Sequence, residues 1–271
     1  MQATGLLSFN ALITSHKRAR QGGENMMLLR ILIAALLTQA NAIAQVIEVA
    51  SRPGNVPTKT LLVPASNAKA TVLLFPGGGG VLNLRPDATT TSRNTFVRSI
   101  DLWQQYGINA VLVDSPEELG NTRSHSRLSR DHQARIAEIA TFYKNKFGHP
   151  VWLFGHSMGA TSVTGYANGQ KGKPAGIDGI IVAGTNDTAL LDRDVTLPTL
   201  AIHHRNDGCR FDPVGNSESI VRSRQKTVRT RLALMDGGTS VGDPCGAQSF
   251  HGFLGLEKEL VEVAANFILD K

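Results

Sequence analysis

The sequence predicts an α/β protein in which a mostly parallel sheet carries helices on both faces. Short apolar segments alternate with segments of helical periodicity from residue 46 onward, the order that βαβ units produce. One apolar segment, Val151–Phe154, breaks directly into a Gly-x-Ser-x-Gly pentapeptide and then into a helix-like segment. Both observations favour parallel strands joined by helical crossovers.

Eight segments have the length and composition of strands, and five have helical periodicity. The strand candidates are Val46–Ala50, Thr60–Val63, Thr71–Phe75, Ile108–Val113, Val151–Phe154, Ile177–Val182, Thr199–His203 and Arg229–Met235. The helix candidates are Asn94–Tyr106, Asp131–Phe147, Ala160–Ala167, Glu218–Gln225 and Leu256–Leu269. No repeat, low-complexity tract or linker interrupts them, so residues 45–271 are predicted to form one domain.

Residues 1–44 are predicted to be removed from the mature protein. Met26–Leu37 combines a basic start with an apolar stretch, and the small-residue sites that follow favour cleavage after Ala44. Residues 1–25 precede this start and are interpreted as an upstream extension, with an amphipathic anchor as the alternative. The apolar stretch is too short to span a membrane, so we expect a periplasmic or secreted protein without stable membrane insertion.

The formal net charge of +6 does not indicate a nucleic-acid partner. Residues 1–44 hold four basic and one acidic side chain, so the remaining chain carries +3. A basic cluster in the last third alternates with polar residues, which predicts a solvated face near an edge strand. Its members are Arg222, Arg224, Lys226, Arg229 and Arg231.

The pentapeptide Gly155-x-Ser157-x-Gly159 contains the candidate nucleophile. A serine hydroxyl attacks well only when the backbone presents it and a base deprotonates it. On so sharp a turn the serine takes unusual backbone angles, and a Cβ on either glycine would collide with the strand or the helix. With these residues, the chain resembles the α/β-hydrolase superfamily, in particular small exported bacterial serine hydrolases of esterase type. The alternative is a serine in a flexible loop.

The resemblance implies a catalytic order of nucleophile, acid and histidine. Asp207 follows the Thr199–His203 strand, and His251 precedes the last helix, so both occupy the places expected of the acid and the base. Asp207 would accept the Nδ1 proton of His251 and fix its tautomer. Asp187 and Asp212 are the rival acids, and a solvated turn aspartate is the structural alternative for Asp207.

The other histidines beyond the leader are not candidate bases. His203 and His204 end the strand that leads to Asp207, which suits packing or hydrogen bonding to the acid. His156 lies inside the pentapeptide and is predicted to line the pocket. Surface positions are expected for His125, His132 and His149.

The resemblance also implies an oxyanion hole made from two backbone amides. One amide is that of Met158, directly after the nucleophile. The other belongs to the glycine run after the third strand, where Pro76-Gly77-Gly78 replaces the His-Gly that the family often has. Gly77 and Gly78 therefore both remain candidates. A phosphate loop is the alternative, but no Gly-Lys-Ser/Thr sequel follows the run.

The two cysteines, Cys209 and Cys245, predict a disulfide if the protein is exported. The bridge would join the loop of the candidate acid to that of the candidate base, and loop closure would stabilise by about 3–4 kcal/mol. No histidine or further cysteine accompanies the pair at ligand spacing, so neither a metal nor another cofactor is expected.

The reaction implied is acyl transfer to water through an acyl-enzyme on Ser157. Family lids usually enter between the sixth and seventh strands, where only residues 183–198 are available. No large cap domain is therefore expected, and an accessible small-molecule ester is the expected substrate. Alternatives are a peptidase, an acyltransferase or a catalytically silent binding protein on this scaffold. The sequence carries no signal for an oligomeric state.

The segment Ser115–Arg130 follows the fourth strand and is predicted to be a solvated charged loop. Binding of acidic or polar parts of a substrate is the alternative. Its basic members are Arg123, Arg127 and Arg130.

Overall fold

A computed structural model describes residues 43–119, 126–170 and 176–271. Residues 1–42 of the predicted leader and extension, together with Arg123 and His125, lie outside the described residues. The described strands are β1 Gln45–Val49, β2 Thr58–Val63, β3 Ala70–Phe75, β4 Ile108–Asp114, β5 Val151–His156, β6 Gly179–Ala183, β7 Thr199–His204 and β8 Thr230–Met235. Each lies on one of the eight segments that the sequence predicts, with ends that differ by at most two residues.

The eight strands form one sheet in the order β1-β2-β4-β3-β5-β6-β7-β8. Strand β2 pairs antiparallel with β1 and β4, and every pairing from β4 to β8 is parallel. This confirms the predicted mostly parallel sheet. Every residue of β3, β4 and β5 is buried, as expected of parallel strands that helices cover on both faces.

The described helices are α1 Thr95–Ser99, a 3-10 helix Ile100–Tyr106, α2 Arg130–Phe147, α3 Met158–Gly169, α4 Val214–Ser223 and α5 Glu257–Ile268. Asn94 caps α1 by accepting a hydrogen bond from the Phe96 amide, and the 3-10 helix ends at Gly107, which has a φ of 67°. No described helix is both long enough and apolar enough to cross a membrane.

Helix α4 begins four residues before the predicted start at Glu218. Its first turn, Val214–Ser217, contains glycine, asparagine and serine, which have low helix propensity, so the sequence does not mark this turn as helical. The turn forms because Pro213 fixes the entry and because Ser217 is buried against the body of the protein.

The two faces of the sheet carry separate apolar layers. Helices α1 and α5 and the 3-10 helix cover one face, where Phe96, Trp103 and Leu260 are buried together. Helices α2, α3 and α4 cover the other face with Ile136, Val163 and Ile220. The predicted arrangement of helices on both faces is therefore confirmed.

The connections at the carboxyl edge of the parallel strands are short. Residues 184–198, between β6 and β7, contain neither helix nor strand, in agreement with the predicted absence of a large cap. This edge collects the loops after β3, β5, β6 and β7, the place where open α/β sheets bind ligands.

The prediction of a fully solvated basic cluster in the last third is wrong for Arg224. This residue is buried and donates hydrogen bonds to the carbonyls of Leu191, Asp192 and Val195. Its guanidinium thus replaces water as the donor to a loop that has no secondary structure of its own. Arg222, Lys226 and Arg231 are exposed as predicted.

Candidate active site

Ser157 occupies the sharp turn between β5 and α3. Its φ of 51° and ψ of −121° lie in a region that residues other than glycine rarely adopt. The Ser157 amide donates to the Ala183 carbonyl at 2.8 Å, and the Asn186 side chain donates to the Ser157 carbonyl at 3.0 Å. The end of β6 and the loop that follows it therefore hold the serine in this unusual conformation.

The glycines on either side of Ser157 are sterically required. A Cβ on Gly155 would lie 2.2 Å from the Gly159 carbonyl oxygen, and a Cβ on Gly159 would lie 2.0 Å from the Phe75 carbonyl oxygen. Both obstacles are backbone atoms, which cannot rotate away as a side chain can. The collision expected from the pentapeptide is thus present on both sides.

Asp207 and His251 meet at the same edge of the sheet, although they are distant in sequence. Nδ1 of His251 lies 2.8 Å from Oδ2 of Asp207, and both side chains are buried. Asp207 also lies 3.3 Å from Nε2 of His203 and accepts a hydrogen bond from the Cys209 amide at 2.9 Å. Nδ1 of His251 therefore carries a proton toward Asp207, which leaves Nε2 as the basic nitrogen.

These contacts displace two pKa values in opposite directions. Burial opposes the ionisation of Asp207, but the hydrogen bonds from His203 and His251 outweigh it and hold its pKa below the ordinary value. Burial also opposes the charged form of His251, yet the hydrogen bond and the charge of Asp207 raise its pKa. The pair is arranged to stabilise an imidazolium beside an ionised carboxylate.

Neither rival acid contacts Nδ1 of His251. Asp187 is exposed. Asp212 is buried, and its Oδ2 lies 3.9 Å from Nε2 of His251, on the side of the ring opposite to Asp207. Burial raises the pKa of Asp212 to about 6. Of the three candidate acids, Asp207 is the one that contacts Nδ1.

Ser157 and His251 flank the same dipeptide. The Ser157 amide is bonded to Ala183, and Cε1 of His251 lies 3.0 Å from the position of a Cβ on Gly184. Among the described residues, no hydrogen bond joins the Ser157 hydroxyl to the His251 ring. Such a bond is often long in free enzymes and shortens when substrate is bound.

The glycine run after β3 lies against Ser157, the candidate nucleophile. A Cβ on Gly77 would be 3.1 Å from the Ser157 Cβ, and Gly78 has a φ of 56°, which favours glycine. The amides of Gly77, Gly78 and Gly79 donate to no described residue. The Glu118 carboxylate lies against Gly79. The amides of Gly77 and Gly78, with the Met158 amide at the start of α3, are therefore the candidate donors to a developing oxyanion.

His156 borders the site without a basic role. Its Nε2 lies 2.8 Å from the carbonyl oxygen of His251 and so carries the proton, while its Nδ1 has no partner among the described residues. Burial lowers the pKa of His156 to about 3, which keeps the ring neutral. The His156 ring packs against the His251 ring, with ring centroids 4.8 Å apart.

Two residues predicted to be solvated are buried beside this site. Arg127 is 1% exposed and contacts the carbonyls of the glycine run, so it is neither solvated nor able to contact a substrate in the groove. His132, expected at the surface, is buried with Nε2 at 2.8 Å from the Ser162 hydroxyl. No sequence pattern marks either residue, because the carbonyl and hydroxyl partners are supplied by distant segments.

Cys209 and Cys245 form the disulfide that the sequence predicts. Together with Asp212 they place three potential ligand atoms within 4.8 Å of one another. Bonded sulfurs do not act as thiolate ligands, so this group offers a metal only one carboxylate.

The topology, the strained serine turn and the loops at the carboxyl edge can be compared with solved structures. The chain superposes on dienelactone hydrolase from Anabaena variabilis with a TM-score of 0.57, over 84% of this chain and 98% of that chain. It has the α/β-hydrolase fold. Identity to the dienelactone hydrolase is 18%, so the likeness concerns the fold.

Two further solved structures superpose on the chain with comparable TM-scores. A predicted CIB-like hydrolase from Thermoplasma acidophilum matches with a TM-score of 0.55 at 18% identity, over 84% of this chain and 99% of that chain. A cold-adapted esterase from an Arctic intertidal metagenomic library matches with a TM-score of 0.53 at 14% identity, over 82% and 92%. No protein-family model and no curated protein sequence matches the chain.

Proposed function

We propose that this protein is an exported serine hydrolase that cleaves small carboxylic esters through Ser157, His251 and Asp207. The observation that carries the proposal is the buried Asp207–His251 pair at 2.8 Å, which flanks the same dipeptide as a serine in a strained turn. A buried ionisable pair and a strained turn both cost folding free energy, which favours a functional role for them. The order of serine, aspartate and histidine along the chain suits acyl transfer.

In the proposed reaction, Nε2 of His251 removes the proton of the Ser157 hydroxyl as its oxygen attacks the ester carbonyl carbon. The negative charge on the tetrahedral intermediate is stabilised by the Met158 amide and an amide of the glycine run. The imidazolium, stabilised by Asp207, then protonates the leaving alcohol, and an acyl-enzyme remains. His251 deprotonates a water that attacks this ester, and the proton returns to Ser157.

An accessible small ester is favoured over a deeply enclosed lipid by the absence of a cap over the site. Residues 184–198 form no helix or strand that could enclose a substrate, and the cold-adapted esterase shares the fold. Peptidases and acyltransferases use the same residue types, so ester and amide must be compared directly. The oxyanion donors and the triad are common to all three reactions.

Export is supported by the Cys209–Cys245 disulfide, because such bonds persist in oxidising compartments. Cleavage after Ala44 would leave β1 intact, since this strand begins at Gln45. The mature domain would therefore keep its complete sheet.

The decisive experiment is labelling with a fluorophosphonate, which reacts with activated serines. The native protein should label, and Ser157→Ala should not. Asp207→Asn should lower the labelling rate about 10³- to 10⁴-fold, because the histidine loses the partner that fixes its tautomer. Asp187→Asn, at the exposed rival acid, is the matched control and should keep the native rate.

Absence of labelling on the native protein would favour a binding protein over an enzyme. Where labelling occurs, a series of p-nitrophenyl esters of increasing acyl length should be run beside the corresponding anilides. We expect esters to turn over and anilides to remain intact. Faster turnover of the anilides would replace the esterase proposal with a peptidase.

A further inference from the structure

We propose that Arg127 is a positioning residue that fixes the Pro76–Gly80 loop so that the amide of Gly77 is the loop donor to the oxyanion. The inference rests on the proposed function, because it assigns a role within the same acyl-transfer site. It also decides between Gly77 and Gly78, which the sequence leaves open.

Arg127 connects the two halves of the candidate oxyanion hole. Its Nη2 donates to the carbonyl of Pro76 at 3.0 Å and to the carbonyl of Gly78 at 2.6 Å. Its Nη1 donates to the Ser162 hydroxyl at 2.9 Å, on the helix that starts at Met158. One side chain therefore sets the loop after β3 relative to the helix that supplies the other amide.

The remaining carbonyls of the loop are also bonded. Gly77 accepts from the Gly80 amide at 3.2 Å, Gly79 accepts from the Leu119 amide at 2.9 Å, and Gly80 accepts from the Ser115 amide at 3.0 Å. With the two bonds from Arg127, every carbonyl from Pro76 to Gly80 has a donor. The amides of residues 77–79, in contrast, donate to no described residue.

The hydrogen bond to the Pro76 carbonyl determines the direction of the Gly77 N–H. In a trans peptide, the carbonyl of one residue and the N–H of the next point to opposite sides. Because Arg127 binds the Pro76 carbonyl, the Gly77 N–H points away from Arg127. Gly77 is also the residue that borders the Ser157 Cβ, at 3.1 Å from its own Cβ position. We therefore infer that the Gly77 N–H points from the loop toward Ser157.

The surroundings of Arg127 keep the guanidinium charged and fixed. Burial lowers the pKa of Arg127 to about 10, so it remains a cation at neutral pH, and the charge of Glu118 supports this. His132, whose pKa burial lowers to about 3, is neutral, so its Nε2 can accept the Ser162 proton. The Ser162 hydroxyl therefore donates its hydrogen to His132, and its oxygen accepts the hydrogen bond from Arg127.

The test compares Arg127→Met and Arg127→Lys with Arg224→Met. Arg224 is the matched control because it is also buried and also binds loop carbonyls, but those carbonyls lie between residues 191 and 195. We expect Arg127→Met to lower kcat about 10²-fold with KM changed by less than about 3-fold, because a misdirected amide weakens transition-state binding. Arg127→Lys should lose less, since it retains charge but cannot span both carbonyls.

Comparing an ester with its thionoester distinguishes positioning of the oxyanion donor from a purely structural role of Arg127. Sulfur accepts hydrogen bonds poorly, so a working oxyanion hole favours the oxygen substrate. The ratio of kcat/KM for the ester to that for the thionoester should fall at least about 10-fold in Arg127→Met and stay native in Arg224→Met. If Arg127→Met does not fold, Ser162→Ala, which removes one contact of Arg127, should shift the ratio in the same direction.

The outcomes are distinct. Native kcat in Arg127→Met, or a loss of activity with an unchanged ester-to-thionoester ratio, overturns the positioning role while the hydrolase proposal stands. A native protein that fluorophosphonate does not label removes the hydrolase proposal and this inference together.

Discussion

The imidazole of His251 lies between two buried carboxyls whose surroundings differ. Asp207, at Nδ1, receives hydrogen bonds from His203, His251 and the Cys209 amide, which favour its ionised form. Asp212, near Nε2, has an Oδ1 without a partner among the described residues, and burial raises its pKa to about 6. Asp207 therefore stabilises the imidazolium at all working pH values, whereas the charge of Asp212 adds to it only above about pH 6.

This difference predicts the pH dependence of activity. The proposed reaction needs a neutral His251, so kcat/KM should rise as pH increases through the pKa of His251. Burial opposes the charged imidazolium, but the hydrogen bond and charge of Asp207, together with the charges of Asp212 and Asp243, raise this pKa. Asp212→Asn removes a negative charge 3.9 Å from Nε2, which destabilises the imidazolium. The acidic limb of the kcat/KM profile should therefore move to lower pH.

The control for this shift is Asp236→Asn, which removes an exposed carboxylate that directly follows β8 at the same edge of the sheet. Its profile should coincide with that of the native protein. A limb that stays in place in Asp212→Asn, or that moves to higher pH, would show that Asp212 does not act on the imidazolium.

The residues that sequence reasoning found and missed differ in the kind of signal they leave. The positions of Ser157, Asp207 and His251 at one edge of the sheet were predictable, because the serine turn constrains its glycines and because the other two follow strands in a fixed order. Their catalytic roles stay a proposal. Arg127, His132 and Arg224 were placed in solvent because basic residues usually lie there. Their burial depends on carbonyl and hydroxyl acceptors from distant segments, and those become visible only in the folded chain.

At the scale of elements, the strand β5 and the helix α3 form one rigid unit around Ser157. The apolar run of β5 and the presence of a helix after Ser157 were predictable, but α3 extends two residues beyond the predicted Ala160–Ala167 at each end. The predicted helix Asn94–Tyr106 is present as α1 followed by the 3-10 helix, a division that periodicity does not reveal. The first turn of α4 was not predicted, since its residues are poor helix formers. The turn that presents the candidate nucleophile is thus the part of the site with the strongest local signal.

The close packing of this unit predicts that Gly159→Ala strongly lowers both activity and stability. Its Cβ would lie 2.0 Å from the Phe75 carbonyl oxygen, so helix or strand must move. Displacement of the Ser157 turn by even about 1 Å should lower kcat/KM about 10²-fold, and overpacking should cost about 1–3 kcal/mol in the free energy of unfolding. Kinetics and denaturant unfolding measure both.

Gly169→Ala, at the other end of α3, is the matched control. No atom lies within 4 Å of its Cβ position, and alanine favours helix, so stability should stay the same or rise by up to about 1 kcal/mol. Equal effects of the two substitutions would contradict the steric argument.

At the scale of the whole molecule, the sheet and the site depend on different interactions. The two apolar layers hold the parallel strands, whereas the acid and base loops, which contain little regular structure, are joined by the Cys209–Cys245 disulfide. Cys209 is two residues after Asp207, and Cys245 is six before His251. Sequence reasoning could predict this bridge because the chain has only two cysteines, but not the buried contact of Asp212 with it.

We therefore expect reduction to disable the site before it unfolds the domain. In a titration with reductant, ester turnover should fall while the near-ultraviolet and far-ultraviolet circular dichroism remain native, because the distance between Asp207 and His251 is no longer fixed by the bridge. The variant Cys209→Ser/Cys245→Ser should be insensitive to reductant and should lose about 3–4 kcal/mol of unfolding free energy, yet remain folded. Parallel loss of activity and of circular dichroism would mean that the disulfide holds the whole domain, and that the loops have no independent freedom.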